Sequence, residues 1–426
     1  MAEHKLLTKE KAEGVFLSLA QTDKFKSALM TVSFAVPLER ETASIYSLLT
    51  NLLSLSTADF PDMQTFSLVK DDLYALELDS YVQRRGEILL VTLCINTISD
   101  SFAFDGEKVL FKATELLGSA IFRPNLENGI FPKENVESEK LCLIDEIASA
   151  IENKPSFALR RARQILCEGE PFGVDAGGEI EIVESLDGEI LAKYHRYILD
   201  NAPVYITYAG EADLKYLEEC VDAHLPFKSR KFSLPKPTIH PEKEFKAVCE
   251  TVEMEQSVLI LAYRTKMPDG AFDRAILSVF DEIFGGSSSS KLFMNVREKE
   301  GLCYYCSSYP SGRKNILFVS CGLEPGNEDF AAEAINREAE AMAKGDFSET
   351  DLETAKNSII RSINSVGSSL GGLNGYLQGQ ALLEDSVSLE ENLELVSKVT
   401  REDVIDFAKT LSLELKYVLT WEDENE

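Results

Sequence analysis

Histidine is scarce. His4, His195, His224 and His240 are the only four in 426 residues, and no two are spaced as a helical metal-binding pair. Each reads as a solvated or structural side chain, so the chain lacks the imidazole ligands of a catalytic zinc. Long apolar runs are missing too. No window approaches the roughly 18 uncharged apolar residues of a membrane helix. The opening stretch Met1–Lys11 carries charges where a signal sequence has an apolar core. The expectation is a cytoplasmic protein with no membrane partner.

Positive charge is also in deficit. Lys and Arg number 43 against 72 Asp and Glu, a net charge of −29. Nucleic acid and anionic membranes, which bind through basic patches, are disfavoured as partners. The acidic balance serves solubility, or an acidic cavity that attracts basic peptides. No G-x-G-x-x-G follows the first strand and no G-x-x-x-x-G-K-[ST] occurs, so Gly285–Lys291 is not a phosphate-binding loop. The eight cysteines are scattered, most within apolar runs, as free buried thiols in a reducing compartment. One pair, Cys303-Tyr-Tyr-Cys306, has C-x-x-C spacing. It has no second pair and no nearby histidine, and along a strand an odd offset points the two sulfurs to opposite faces. Neither a metal nor a redox role is expected of it.

What is present is a real core, with 44% hydrophobic residues, and a pattern written twice. A strand at Ala28–Leu38 leads into a helix over Glu41–Leu55 with Ile45, Leu48, Leu49, Leu52 and Leu53 at helical spacing. A strand at Ser257–Met267 leads into a helix over Ala271–Phe284 with Ala275, Ile276, Val279 and Ile283 on one face. Each half continues with a strand pair, Leu73–Leu78 with Glu87–Ile95 and Cys303–Ser308 with Ile316–Gly322. Helices Gly106–Ala120 and Pro132–Ile151 are matched by Glu328–Ala343 and Glu349–Val366. Each half closes on a helix and a strand, Asp187–Leu199 with Val204–Tyr208, and Arg401–Leu411 with Lys416–Thr420. The near-constant offset, Lys140 to Lys356 and Val204 to Tyr417, indicates a duplicated domain of roughly 200 residues. Between the halves, Pro226–Pro241 holds four prolines in 16 residues, which stiffen it against regular structure. The expected layout is a domain over 1–225, a linker over 226–244 and a domain over 245–426. Hairpins without strict βαβ alternation argue an α+β fold of two similar α/β-roll domains, each a mostly antiparallel sheet flanked by helices.

The stretch Phe284-Gly-Gly-Ser-Ser-Ser-Ser-Lys-Leu-Phe-Met-Asn-Val-Arg-Glu-Lys-Glu-Gly-Leu-Cys-Tyr-Tyr carries the most specific signal. A helix from about Ser290 would stop at Gly301, and the chain would reverse into a strand over Leu302–Tyr309. That reversal can bring Arg297 and Tyr304 to one patch. Read bare, they are a helix-end cation and a sheet aromatic. The small-residue loop, the helix ending in Arg-x-Lys-x-Gly-Leu and the following Tyr resemble the second domain of insulinase/pitrilysin-type zinc peptidases, including the processing peptidases. The resemblance spans nearly the whole chain, since those subunits are also duplicated. It implies that Arg297 binds substrate main chain and that the Tyr304 hydroxyl donates to a developing oxyanion.

Active members of that family use His-x-x-Glu-His on the first domain's early helix and a downstream Glu as third zinc ligand. Anchored on Thr57, the matching positions here are Ser47, Thr50 and Asn51, neutral groups that neither bind zinc well nor act as a general base. Glu137 falls where the third ligand would be, or is simply an acid in a helix's first turn. No cofactor is expected in this chain, and zinc is expected in a partner. The resemblance thus implies a non-catalytic subunit of a heterodimeric zinc peptidase. A paralogous partner bearing the His-x-x-Glu-His motif would cleave short or unfolded peptides at a site completed by Arg297 and Tyr304. The alternatives are a structural or peptide-binding scaffold without chemistry, and a homodimer in isolation. Gly367, Gly371, Gly375 and Gly379, four apart, form a smooth helical stripe, read either as a surface for close approach by a partner or as an internal packing seam or loop.

Overall fold

The protein is described by a computed structural model over residues 5–239, 243–266 and 270–421. His4 and His240 lie outside those residues. The chain forms two compact units. One comprises Met1–Ser149, Val174–Lys236 and Ser365–Ser386, the other Ala150–Gly173, Pro237–Asn364 and Val387–Glu426.

The first unit holds β1 (Lys5–Ala12), β2 (Val15–Gln21), β3 (Ser27–Pro37), β4 (Glu77–Arg85), β5 (Ile88–Ile98) and β6 (Val204–Gly210) in the order β1-β2-β6-β3-β5-β4. The second holds β7 (Lys246–Thr251), β8 (Ser257–Arg264), β9 (Tyr305–Ser311), β10 (Ile316–Leu323) and β11 (Ser412–Thr420) in the order β7-β11-β8-β10-β9. Each sheet has a single parallel pair, β2 with β6 and β7 with β11, and is otherwise antiparallel. With β1 set aside, the two strand orders are the same, so the repeat seen in the sequence is a repeat of topology. The fold is α+β, two similar sheets flanked by helices.

Strands β6, β8 and β10 are buried at every residue. A half-solvated strand would alternate, so these must be covered on both faces. In the first unit one face, with Leu17, Leu19, Phe34 and Val91, packs under helices that include Arg40–Leu55 and Val109–Phe122. The alternate residues Ala20, Ala35, Leu90, Tyr205 and Ala209 point the other way. Their cover is the helix Leu370–Ala381, which comes from the far end of the chain. The second unit mirrors this. Val258, Ile260 and Tyr417 are covered by the helix Lys154–Leu166, whose Ala158, Ala162 and Leu166 recur every four residues. Asn153 caps that helix, and Arg161 holds Glu250 of β7 with two hydrogen bonds of 3.0 and 2.5 Å. A division by chain order into 1–225, 226–244 and 245–426 therefore omits an exchange, since each half supplies one helix to the other's sheet.

The helix Leu370–Ala381 begins at Ser369, whose hydroxyl accepts from the Gly372 amide. Its inner face buries Leu373, Asn374, Leu377 and Gln378. Gln378 donates to Thr31 Oγ1 at 3.1 Å and to Ser33 Oγ at 3.2 Å, while Asn374 accepts from Thr207. Buried hydroxyls of β3 and β6 are thereby satisfied from above the sheet. A Cβ added at Gly371, Gly375 or Gly379 would meet no atom within 4 Å, so this stripe is not an internal seam. Gly367 lies before the helix and is buried. One strand expectation is also corrected. Met63–Asp72 is a helix, Tyr74 and Ala75 follow with positive φ, and the strand starts only at Glu77. Among the described residues no helix is long and apolar enough to cross a membrane.

Replacing Gln378 by Ala should lower the stability of the first unit by about 1–3 kcal/mol, the cost of losing two buried hydrogen bonds. Hydrogen exchange should quicken in β3 and β6 but not in β8 and β10. Unchanged protection in β3 and β6 would remove this helix from the core of the first unit.

Candidate functional site

The helix Arg40–Leu55 runs beneath the first sheet and carries Ser47, Thr50 and Asn51. Ser47 and Thr50 are buried, and the Thr50 hydroxyl is spent on the Ser47 carbonyl at 2.7 Å. The Thr50 carbonyl accepts from Ser80 of β4 at 2.8 Å. Asn51 faces a cleft of about 390 Å³ with Ser54, Lys70, Asp79, Ser80 and Glu139 on its wall. Glu139, on the helix Lys133–Ser149, accepts a hydrogen bond from the Asn51 side chain. Burial raises its pKa and that hydrogen bond opposes the rise.

Glu137 is elsewhere. It is exposed and pairs with Lys140 at 3.1 Å, one turn along the same helix. Glu137 and Glu139 are two residues apart, about 200° around a helix, so only one can face the cleft. Sequence position near the third-ligand motif could not decide between them. The pairing of two helices did.

The donors present do not suit zinc. Ser47 and Thr50 are neutral, and Thr50 is committed to the backbone. Asn51 already engages Glu139, one of the two carboxylates on the cleft wall. Among the described residues no group of three or more His, Cys, Asp or Glu is arranged to hold a metal. His195 is buried in the helix Gly188–Asn201 with Nε2 against the Ile121 carbonyl at 2.8 Å, and burial lowers its pKa. His224 stacks edge-on to Phe111 with 4.4 Å between ring centroids. Both are structural.

The second unit brings its two expected residues together. The helix Ala271–Phe284 ends at Gly285, where a Cβ would meet Ser308 Oγ at 2.5 Å and Ser308 N at 2.7 Å. This close approach requires glycine. It is held by the Ser308 amide donating to the Gly285 carbonyl at 3.2 Å. The helix Leu292–Lys299 is wound wide, with the Glu300 amide reaching back to the Asn295 carbonyl at 3.0 Å. Gly301, at φ +65°, reverses the chain. Tyr304 then docks on β10 through its amide and the Gly322 carbonyl at 2.8 Å. Arg297 Nε donates to the Tyr304 carbonyl at 2.7 Å. Its guanidinium lies 4.5 Å from the Phe293 ring and pairs with Glu298 at 2.7 Å. The Tyr304 ring is 48% exposed, and its hydroxyl donates to Glu324 at 3.1 Å. Accepting that bond, the Glu324 carboxylate raises the Tyr304 pKa. The result is a half-buried cation and an exposed phenol on one patch, the cation held by the Tyr304 carbonyl and Glu298 and the phenol by Glu324.

A triple variant, Ser47→His, Thr50→Glu and Asn51→His, should take up about one zinc per chain, the stoichiometry of a three-ligand site. Adding Glu139→Gln should weaken that uptake at least about tenfold, as loss of one ligand does, whereas Glu137→Gln should not. Metal analysis after dialysis separates the two carboxylates. Equal loss from both variants would contradict the placement of Glu139.

Residues 185–359 match a family described as Peptidase M16 inactive domain. A Bacillus subtilis relative named "Probable inactive metalloprotease YmfF" is 27% identical over 96% of this chain and 97% of its own. A second from that organism, "Uncharacterized zinc protease YmxG", is 26% identical over 68% of this chain and 72% of its own. Among solved structures, a conserved protein from Enterococcus faecalis superposes with a TM-score of 0.89 at 26% identity, covering 99% of this chain and 100% of that one. A Pseudomonas fluorescens peptidase M16 inactive domain gives 0.81 at 16% identity, with 99% of each chain covered. The chain is therefore similar over residues 185–359 to the M16 inactive-domain family, and over nearly its whole length to a relative named as a probable inactive metalloprotease.

Proposed function

We propose that this chain is the non-catalytic subunit of a heterodimeric zinc peptidase. The observation that carries this reading is an asymmetry. In the first unit the zinc-binding positions hold Ser47, Thr50 and Asn51, and hydroxyl and amide groups there are tied into the fold. In the second unit the half-buried Arg297 and the exposed Tyr304 are linked by the Arg297 bond to the Tyr304 carbonyl. A guanidinium suits the carbonyls of an extended peptide, and a phenol hydroxyl suits a developing oxyanion. The zinc, the general base and the attacking water would come from a paralogous subunit bearing His-x-x-Glu-His. The substrates would be short or unfolded peptides.

A second reading is a peptide-binding or structural subunit without a part in the chemistry. It is favoured by the internal partners that Arg297 and Tyr304 already have in Glu298 and Glu324.

Reconstitution with a motif-bearing partner separates the readings. Tyr304→Phe should lower kcat by about 10²-fold, the usual cost of losing one oxyanion donor. Arg297→Ala should lower kcat/KM by about 10–100-fold, the loss of a charge-assisted hydrogen bond. Full kcat in both variants would leave only the scaffold reading.

A further inference from the structure

The first unit has a second hollow besides the cleft at Asn51. It is lined from the helices Met63–Asp72 and Val109–Phe122, measures about 580 Å³, and shares no lining residue with that cleft. Its size suits a small ligand or a few residues of peptide. Phe60, Val69, Leu73 and Leu116 give it an apolar floor. The surrounding backbone is fixed. Thr57 and Pro124 form a β-bridge, and the Ala58 amide donates to the Arg123 carbonyl at 2.8 Å. The Phe60 ring stacks on Phe66 with 6.4 Å between centroids.

Four acids and two cations border this floor. Both cations are already engaged. Arg123 pairs with Asp59 at 2.7 Å, and the Ser119 hydroxyl donates to the same carboxylate at 2.7 Å. Lys112 pairs with Glu107 at 2.5 Å, and the Tyr74 hydroxyl donates to Glu107 at 2.9 Å. These bonds hold the pKa values of Asp59 and Glu107 below their ordinary values, so both acids stay ionised and keep their cations. The other two acids are Asp72 on one helix and Glu115 on the other. Both are exposed, and among the described residues neither side chain makes a hydrogen bond or ion pair. Glu115 acts on Lys112 only through its field. Two negative charges therefore remain around an apolar floor, one on each wall. Asp72 also sits in the last turn of its helix, where the dipole disfavours a carboxylate. Helix stability does not account for it.

We propose that this hollow binds a peptide segment in which a large apolar side chain is flanked on both sides by Lys or Arg. The apolar side chain covers the floor, and the two cations meet Asp72 on one wall and Glu115 on the other. An anionic segment is repelled, and a neutral apolar one leaves both carboxylates without a counter-charge. The net charge of −29 draws cationic segments toward the chain from a distance. The site lies in the first unit and uses neither Arg297 nor Tyr304. It stands apart from the proposed pairing with a zinc-bearing partner, and its test uses this chain alone.

The peptide acetyl-Gly-Lys-Phe-Lys-Gly-amide is titrated into the full chain by calorimetry. Saturable binding at one site per chain is expected, weakening as salt rises from about 20 to 200 mM. Peptides with Glu in place of Lys, or Gly in place of Phe, should bind more weakly. Asp72→Asn combined with Glu115→Gln should weaken binding about fivefold, the loss of two exposed ion pairs. Glu333→Gln combined with Glu390→Gln removes the same charge from the second unit and should leave binding unchanged. Asp72→Asn relieves a helix end, so the Tm of the first pair of substitutions should not fall and lost binding is not lost folding. No saturable binding at about 1 mM peptide would overturn the proposal. Equal affinity for the Glu or the Gly peptide, or equal loss in both doubly substituted chains, would do the same.

Discussion

The structure depends on one constraint, that its two sheets are buried on both faces. Strands such as β8 and β10 are apolar at successive residues, and neither face can be left to water. One layer of helices follows each sheet in chain order. The second layer cannot come from the same stretch, because the local connections are already used. It comes instead from Lys154–Leu166 in one unit and Leu370–Ala381 in the other. Polar groups fix the choice of cover. Asn374 and Gln378 meet hydroxyls on β3 and β6, and Arg161 meets Glu250.

The two units share one plan and carry different side chains on it. In the first, the helix Arg40–Leu55 carries Ser47, Thr50 and Asn51, and Glu139 lines the same cleft as Asn51. The groups between them are a hydroxyl bonded to backbone and an amide bonded to that carboxylate. These hydrogen bonds tie the cleft wall together. In the second unit the turn around Gly301 is intact, and with it the presentation of Arg297 and Tyr304.

Much of this was legible because it is periodic. The helix Ala271–Phe284 and the helix Glu328–Ala343 fall where their apolar spacing places them. The duplication showed as a constant offset, and the strand orders of the two sheets repeat in the same way. The turn linking Arg297 to Tyr304 was marked by Gly301. What escaped was set by pairs of residues far apart in the chain. Glu139 rather than Glu137 faces Asn51, because two helices must meet before either acid has a direction. The first two strands carried too little contrast to stand out, being a charged edge strand and its neighbour.

The sequence by itself determined the repeat, the α+β class, the absence of a zinc-binding histidine pair and the element that carries Arg297 and Tyr304. Those properties reside in composition and in spacings of a few residues. Tertiary structure decided which helix covers which sheet, which carboxylate meets Asn51, and that Cys306 faces Cys321. Each of these is a contact between segments whose separation along the chain, or whose departure from regular helix or strand, no local period encodes.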